Sequence, residues 1–318
     1  MLLTLTLLLA PAQAADLWFG GSLDAALDLS PGSLSVPTMG EVDFRMQQGK
    51  VFVRVDVDLW TDLASPSLLQ PYPPEWAMVQ VGTEGPIVRA GIHNPNIGLE
   101  DWDYRNNYMP TYSNYFNGAS PGRLLGAEFA WHFENDAEVF VWGGSDMDFG
   151  WTEGEVLPEP VWTAGVGVSA EAELWSTWTG FVTYPQDGIY ALFYSGEVYP
   201  HNLVTVALDG GAGVSAGSPF AGGQLVVVGM PEATVNPTVR GEVNFDPDLA
   251  LGSFADTGVY RSAVSAGGKV TIRDWLQVMA EGKLMWSAKE AQMSPGVFVA
   301  LNVFRPEPGY YTAVYDEE

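Results

Sequence analysis

Three histidines, His93, His132 and His201, stand in a chain of 318 residues that contains no cysteine. An imidazole can act as base or metal ligand, but hydrolysis needs it beside a nucleophile and an orienting group. His132 shares a strand face with Glu128, yet no GxSxG or comparable nucleophile signature accompanies the pair. His201 lies in a Pro-His-Asn turn and reads as a turn residue. The missing cysteines exclude a thiolate nucleophile, a thiolate zinc site and a disulfide scaffold. The expectation is therefore no enzyme, no catalytic residue, no metal and no cofactor.

Carboxylates are the other reactive groups. Asp146, Asp148, Glu153 and Glu155 offer hard oxygen ligands, but without the spacing or glycine of an EF-hand, so a solvated loop is the default reading. Asp209-Gly210-Gly211-Ala212-Gly213 is no phosphate loop, since no Lys-Ser/Thr follows and no helical pattern opens after it. The informative charges are those that alternate with apolar residues. Asp24, Asp28, Glu41, Asp43, Asp56 and Asp58 fall in the first third of the chain. Glu128, Glu138, Glu171, Glu242 and Glu281 follow, with Arg45, Arg54, Arg240 and Lys283 as the interspersed bases.

Strands must position these groups. Val51, Val53, Val55, Val57 and Leu59 alternate with Phe52, Arg54, Asp56, Asp58 and Trp60, and in an extended strand the two sets point to opposite faces. The same period of two recurs around Val42, Phe129, Val243 and Leu284. One face is apolar throughout, and the other is polar or charged. Such a sheet is either half-buried in a soluble protein or closed into a barrel whose apolar face meets lipid.

Connections decide between the two. Short turns at Gln48-Gly49, Thr83–Pro86, Glu134–Asp136, Tyr199–Asn202, Met230–Ala233 and Arg273-Asp274 alternate with longer links. The longer links are 30–39, 61–76, 93–122, 146–160, 214–221, 246–258 and 287–295. Tight turns at one end and long loops at the other are the habit of transmembrane barrels. Trp60, Tyr184 and Trp286 near the long loops, and Trp175, Tyr199 and Trp275 near the turns, are placed as two interfacial girdles. The expected fold is all-β: a transmembrane antiparallel up-and-down barrel of about sixteen strands, within a range of about 12–16. Segments 77–83 and 86–92 are short for a crossing, and Pro237 removes a ladder donor.

Met1 to Ala14 is an apolar run closed by Pro11 and Ala12-Gln13-Ala14, the form of a cleaved export signal, although no basic residue precedes it. The expected division is a signal peptide over 1–14, the barrel over 15–304, and a tail or extra strand over 305–318. Gly296–Phe304 has the form of a closing strand, and Pro306 and Pro308 discourage its continuation.

The stretch Arg89-Ala90-Gly91-Ile92-His93-Asn94-Pro95-Asn96-Ile97-Gly98-Leu99-Glu100 resembles the G-K/R-F-x-T-P-F-G-x-E block of the OmpL-like β-barrel porins. Tyr112-Ser113-Asn114-Tyr115-Phe116 is similar to their Y-S-R-S-x-x-F continuation. His93, Asn96 and Asn114 depart from that pattern, and the match covers some forty residues. The resemblance implies an outer-membrane barrel forming a diffusion pore, and it carries over no catalytic residue.

The inferred pore lining is Asp24, Asp28, Glu41, Asp43, Arg45, Arg54 and Asp56, continuing through Asp58, Glu128, His132, Arg240, Glu242, Glu281 and Lys283. Loop residues Trp102, Asp103, Tyr104, Arg105, Tyr108 and Tyr112 would form a constriction if 93–122 folds inward. Lys and Arg total 13 against 39 Asp and Glu, a net charge of −26, which repels nucleic acid and biases a pore toward cations. Expected partners are outer-membrane lipid and lipopolysaccharide, the barrel assembly machinery, small hydrophilic solutes and a homo-oligomer. Two other readings stay open: a plugged or closed barrel (or a secreted sheet protein) with a structural or adhesive role, and a barrel hydrolase.

Overall fold

Alternation at period two, unbroken by any helical pattern, produces a structure made only of strands and turns among its described residues. The computed structural model describes residues 16–30, 33–62, 70–71, 76–83, 85–94, 109, 123–147, 161–231, 233–245, 260–287 and 292–304. The leader 1–14 and the tail 305–318 lie outside these residues, as do all six expected constriction residues.

The strands are β1 (Asp16–Ser30), β2 (Ser33–Ser35), β3 (Pro37–Gln48), β4 (Val51–Asp62), β5 (Gln70–Pro71) and β6 (Trp76–Val81). They continue as β7 (Gly85–His93), β8 (Leu124–His132), β9 (Ala137–Asp146), β10 (Val161–Ala172), β11 (Trp175–Tyr184) and β12 (Ile189–His201). The last six are β13 (Val204–Ser215), β14 (Ser218–Gly229), β15 (Val235–Phe245), β16 (Tyr260–Arg273), β17 (Leu276–Ser287) and β18 (Gln292–Phe304). The short β2 and β5 extend the ladders of β1 and β4, and the other strands form a closed antiparallel barrel of sixteen. Closure is made by β1 against β18, with Ser22 opposite Phe304 and Leu29 opposite Val297. Closing the sheet removes the unpaired edge that a membrane would not tolerate.

Each neighbour follows its predecessor through a hairpin, as the expected up-and-down order requires. Several links differ from expectation, and the one expected over 30–39 is largely strand, since β2 spans Ser33–Ser35 and β3 begins at Pro37. The link expected over 214–221 is a two-residue hairpin at Ala216-Gly217, both with positive φ (49° and 89°), and β14 begins at Ser218. This is the turn geometry that matches strand twist, and glycine meets its second position without strain. The link expected over 287–295 shrinks to 288–291, because β18 starts at Gln292 rather than Gly296. Pro237 is accommodated inside β15 because the β14 ladder begins one residue later, at Val228 opposite Thr238.

The barrel is inside-out relative to a soluble sheet. Leu17, Val42, Phe129, Val141, Val166, Leu192, Leu225, Val264 and Leu301 are exposed on the outer face. Inward positions carry the buried polar and charged side chains. Trp131, Trp162, Trp175, Trp275 and Trp286 stand exposed near the strand ends, where a bilayer interface favours indole. Tyr184 and Tyr199 do not join this girdle. Tyr184 shares the inward face of β11 with Trp178 and donates its hydroxyl to Asp146 at 2.7 Å. Tyr199 donates to Glu197 at 2.6 Å. Strand parity turns both away from lipid, where a phenol would have lost these partners. The Trp60 side chain lies outside the described residues.

Candidate functional site

The inward face divides into a charged wall and an apolar wall. The charged wall starts on the β3–β4 hairpin. Its turn at Gly49-Lys50 sets Asp43 opposite Asp56, Arg45 opposite Arg54, and Glu41 opposite Asp58. Glu41, Asp43, Arg45, Arg54 and Asp56 are all buried. Arg54 donates from Nε to Asp56 and lies over the Trp76 ring, its Cζ 4.3 Å from the centroid. Arg45 lies over Trp18 at 5.1 Å. Each guanidinium is within reach of cation–π attraction from its ring.

A second charged group spans β15 to β17. Arg240 donates from Nη2 to Glu281 at 2.8 Å, and its Nε stands 3.0 Å from Glu242. Lys283 Nζ stands 2.8 Å from the same Glu242 oxygen. A third group pairs Arg89 on β7 with Glu128 on β8, their positions directly opposite, and Arg89 Nε also donates to Gln80 at 2.9 Å.

The structure thus brings together Glu41, Asp43, Arg45, Arg54 and Asp56 in one cluster and Arg240, Glu242, Glu281 and Lys283 in another. His132 faces Glu138 across β8–β9 rather than a nucleophile, and Glu138 is buried while Glu171 is exposed near the short turns. Asp24, Asp28 and Asp58 hold register positions opposite Asn302, Phe298 and Glu41, and their side chains lie outside the described residues. His93 is the buried last residue of β7 rather than a loop residue, its Nδ1 3.3 Å from the Gly91 carbonyl. Asp146 is likewise no solvated loop residue, since it closes β9 fully buried against Tyr184.

Sequence reasoning missed Arg89, which sits inward by alternation with Val88 and Ala90, a signal that was present. It also missed the apolar wall. Phe140, Trp142, Trp178, Val182, Ile189, Phe193 and Phe220 form one buried inward cluster on β9 to β14. The Phe140 ring passes over Gly167 of β10 and stacks on Trp178 of β11, with centroids 5.9 Å apart. Gly213, part of the glycine-rich run, likewise leaves room for Phe220.

Arranged this way, the lumen can sort solutes by width and charge. Several solved structures share the form. An anion-selective porin from Comamonas acidovorans aligns with TM-score 0.66 at 10% identity, over 92% of this chain and 100% of that one. A loop-deletion form of OmpT, an outer membrane protein of Vibrio cholerae, gives 0.63 at 12% identity, over 92% and 100%. The outer membrane channel DcaP of Acinetobacter baumannii gives 0.62 at 10% identity, over 93% and 99%. No protein-family profile and no curated protein matches the sequence. At these identities the likeness is one of fold, and this chain has the closed sixteen-stranded barrel fold of the outer-membrane porins.

Proposed function

We propose that this chain is an outer-membrane channel for passive diffusion of small hydrophilic solutes and ions, with a preference for cations and no turnover chemistry. The carrying observation is the pairing of an apolar, exposed outer face with a charged inner face on one closed barrel. Lipid accepts the first, and an aqueous interior suits the second. Residues 1–14 serve as the export signal, the barrel assembly machinery inserts the product beside lipopolysaccharide, and the affiliation is with the OmpL-like porins. Selectivity follows from this chain's own lumen, where the buried acids Glu41, Asp43, Asp56, Glu128, Glu138, Asp146, Asp209, Glu242 and Glu281 outnumber the buried bases Arg45, Arg54, Arg123, Arg240 and Lys283. Homo-oligomerisation is in keeping with a trimer form of the Vibrio cholerae OmpT.

One observation favours a second reading, a barrel occluded at mid-height. The inward charges are almost wholly covered, and Met109, the one described residue between Asn94 and Arg123, is only 2% exposed. A wide aqueous lumen would wet these side chains. In the channel reading the same coverage makes the passage narrow.

Planar-bilayer recording of the refolded mature chain under a KCl gradient tests both, once folding is confirmed by heat-dependent gel mobility. Discrete small steps with a cation-selective reversal potential support the channel. A folded barrel that stays silent supports the occluded form.

A further inference from the structure

Among the described residues, one group of carboxylates lies on one inner face with its ligand atoms within 4.8 Å of one another: Glu41, Asp43 and Asp56, all buried. The hairpin register explains the convergence. Glu41 and Asp43 are two apart on β3 and so face the same way, and Asp56 is the direct cross-strand partner of Asp43. Like charges directly opposite destabilise a sheet, and here the repulsion sits where water cannot screen it.

The neighbouring arginines relieve only part of it. Arg54 bonds Asp56, and Arg45 is drawn over Trp18. Asp43 is 0% exposed, and neither of its carboxylate oxygens has a hydrogen-bond partner among the described residues. Asp56 keeps its Oδ1 unpartnered as well. A buried carboxylate as a rule is either paired or bound to a metal. Three carboxylates with no nitrogen or sulfur among them select a hard cation. Ligand bonds of about 2.3–2.6 Å place oxygens on opposite sides of a calcium ion about 4.6–5.2 Å apart, a reach that covers this cluster. Calcium accepts such a set in flexible geometry, whereas magnesium demands a near-ideal octahedron and dehydrates reluctantly.

We propose that Glu41, Asp43 and Asp56 form a calcium site on the lumen face of the β3–β4 hairpin. Asp43 supplies the unpaired ligand, Asp56 contributes the oxygen that Arg54 leaves free, and Glu41 closes the set. The bound ion replaces the Asp43–Asp56 repulsion with a shared counter-charge and ties β3 to β4. The site goes beyond the channel reading and does not depend on flow through the lumen.

The test uses the full refolded barrel in detergent, with CaCl2 or EDTA, reading the midpoint of heat-dependent gel mobility and calcium binding by calorimetry. For the wild type, calcium at about 100 times its Kd is expected to raise the midpoint by about 4 °C. Asp43→Asn is expected to abolish the rise, to remove one bound calcium per chain, and to be no less stable than wild type in EDTA. If that variant does not fold, Glu41→Gln carries the same expectation. An equal rise in wild type and variant, an unchanged calcium stoichiometry, or no rise in either overturns the site.

Discussion

Arg240 on β15 reaches across β16 to bond Glu281 on β17, while Lys283 on β17 reaches back to Glu242 on β15. The four charges form a crossed pair over the inward side chain of Ser265, which is opposite both Arg240 and Lys283 in register. Alternate strands stand about 9–10 Å apart, so only long side chains above a small residue can make such a bridge. Arg240 is 1% exposed, and its removal strands two buried carboxylates on a single lysine. Arg240→Met is therefore expected to destabilise the barrel by about 3–5 kcal/mol. Equilibrium unfolding in denaturant and detergent measures the loss, and a variant as stable as wild type would show that the bridge carries no net interaction.

The apolar wall repeats the same construction with rings in place of ions. Phe140 on β9 meets Trp178 on β11 above Gly167 on β10. A methyl group at position 167 would stand 2.6 Å from the edge of the Phe140 ring and 3.1 Å from the Thr179 carbonyl oxygen. Gly167→Ala is expected to destabilise by about 1–3 kcal/mol, the usual cost of overpacking. Adding Phe140→Leu should recover part of that loss, because the smaller side chain vacates the space. Additive losses in the double variant would mean that the ring and the glycine are not coupled.

These two walls were not equally legible. Around Val51 to Trp60 the alternation of valine with charge assigns the faces unaided, and the inward positions of Arg54 and Asp56 follow from it. On β9, Phe140 and Trp142 alternate with Val139 and Val141, so both faces are apolar and periodicity cannot say which meets lipid. Only the glycines of the next strand, Gly165 and Gly167, identify the inward set, and that pairing is a register fact. Tyr184 was misread for a related reason, since nearness to a strand end suggests a girdle while parity with Trp178 decides the face. The opposition of Asp43 and Asp56 follows from a turn at Gly49-Lys50, one residue beyond the expected Gln48-Gly49. A shift of one residue in the turn moves every cross-strand pair.

Val166, in the middle of β10, is 47% exposed on the outer face. If that face meets lipid, Val166→Arg should cost about 2–4 kcal/mol on insertion at the bilayer midplane. The yield of the heat-modifiable folded form should then drop in lipid vesicles, with little change for Val166→Leu. Equal folding of the arginine and leucine variants would show that this surface faces water.

Glu171 lies at the short-turn mouth, exposed and on the inward parity of β10. Reversing it adds positive charge at the entrance without breaking a buried pair, so stability should be unaffected. Glu171→Lys is then expected to lower the cation preference of the channel, read as a smaller reversal potential under a KCl gradient. The effect should be clear near 0.1 M salt, where charges are felt over about 10 Å, and fade near 1 M, where the range falls to about 3 Å. A reversal potential unchanged at low salt would place the selectivity deeper in the barrel, at the β3–β4 and β15–β17 clusters, where the charged side chains are buried and screening is weakest.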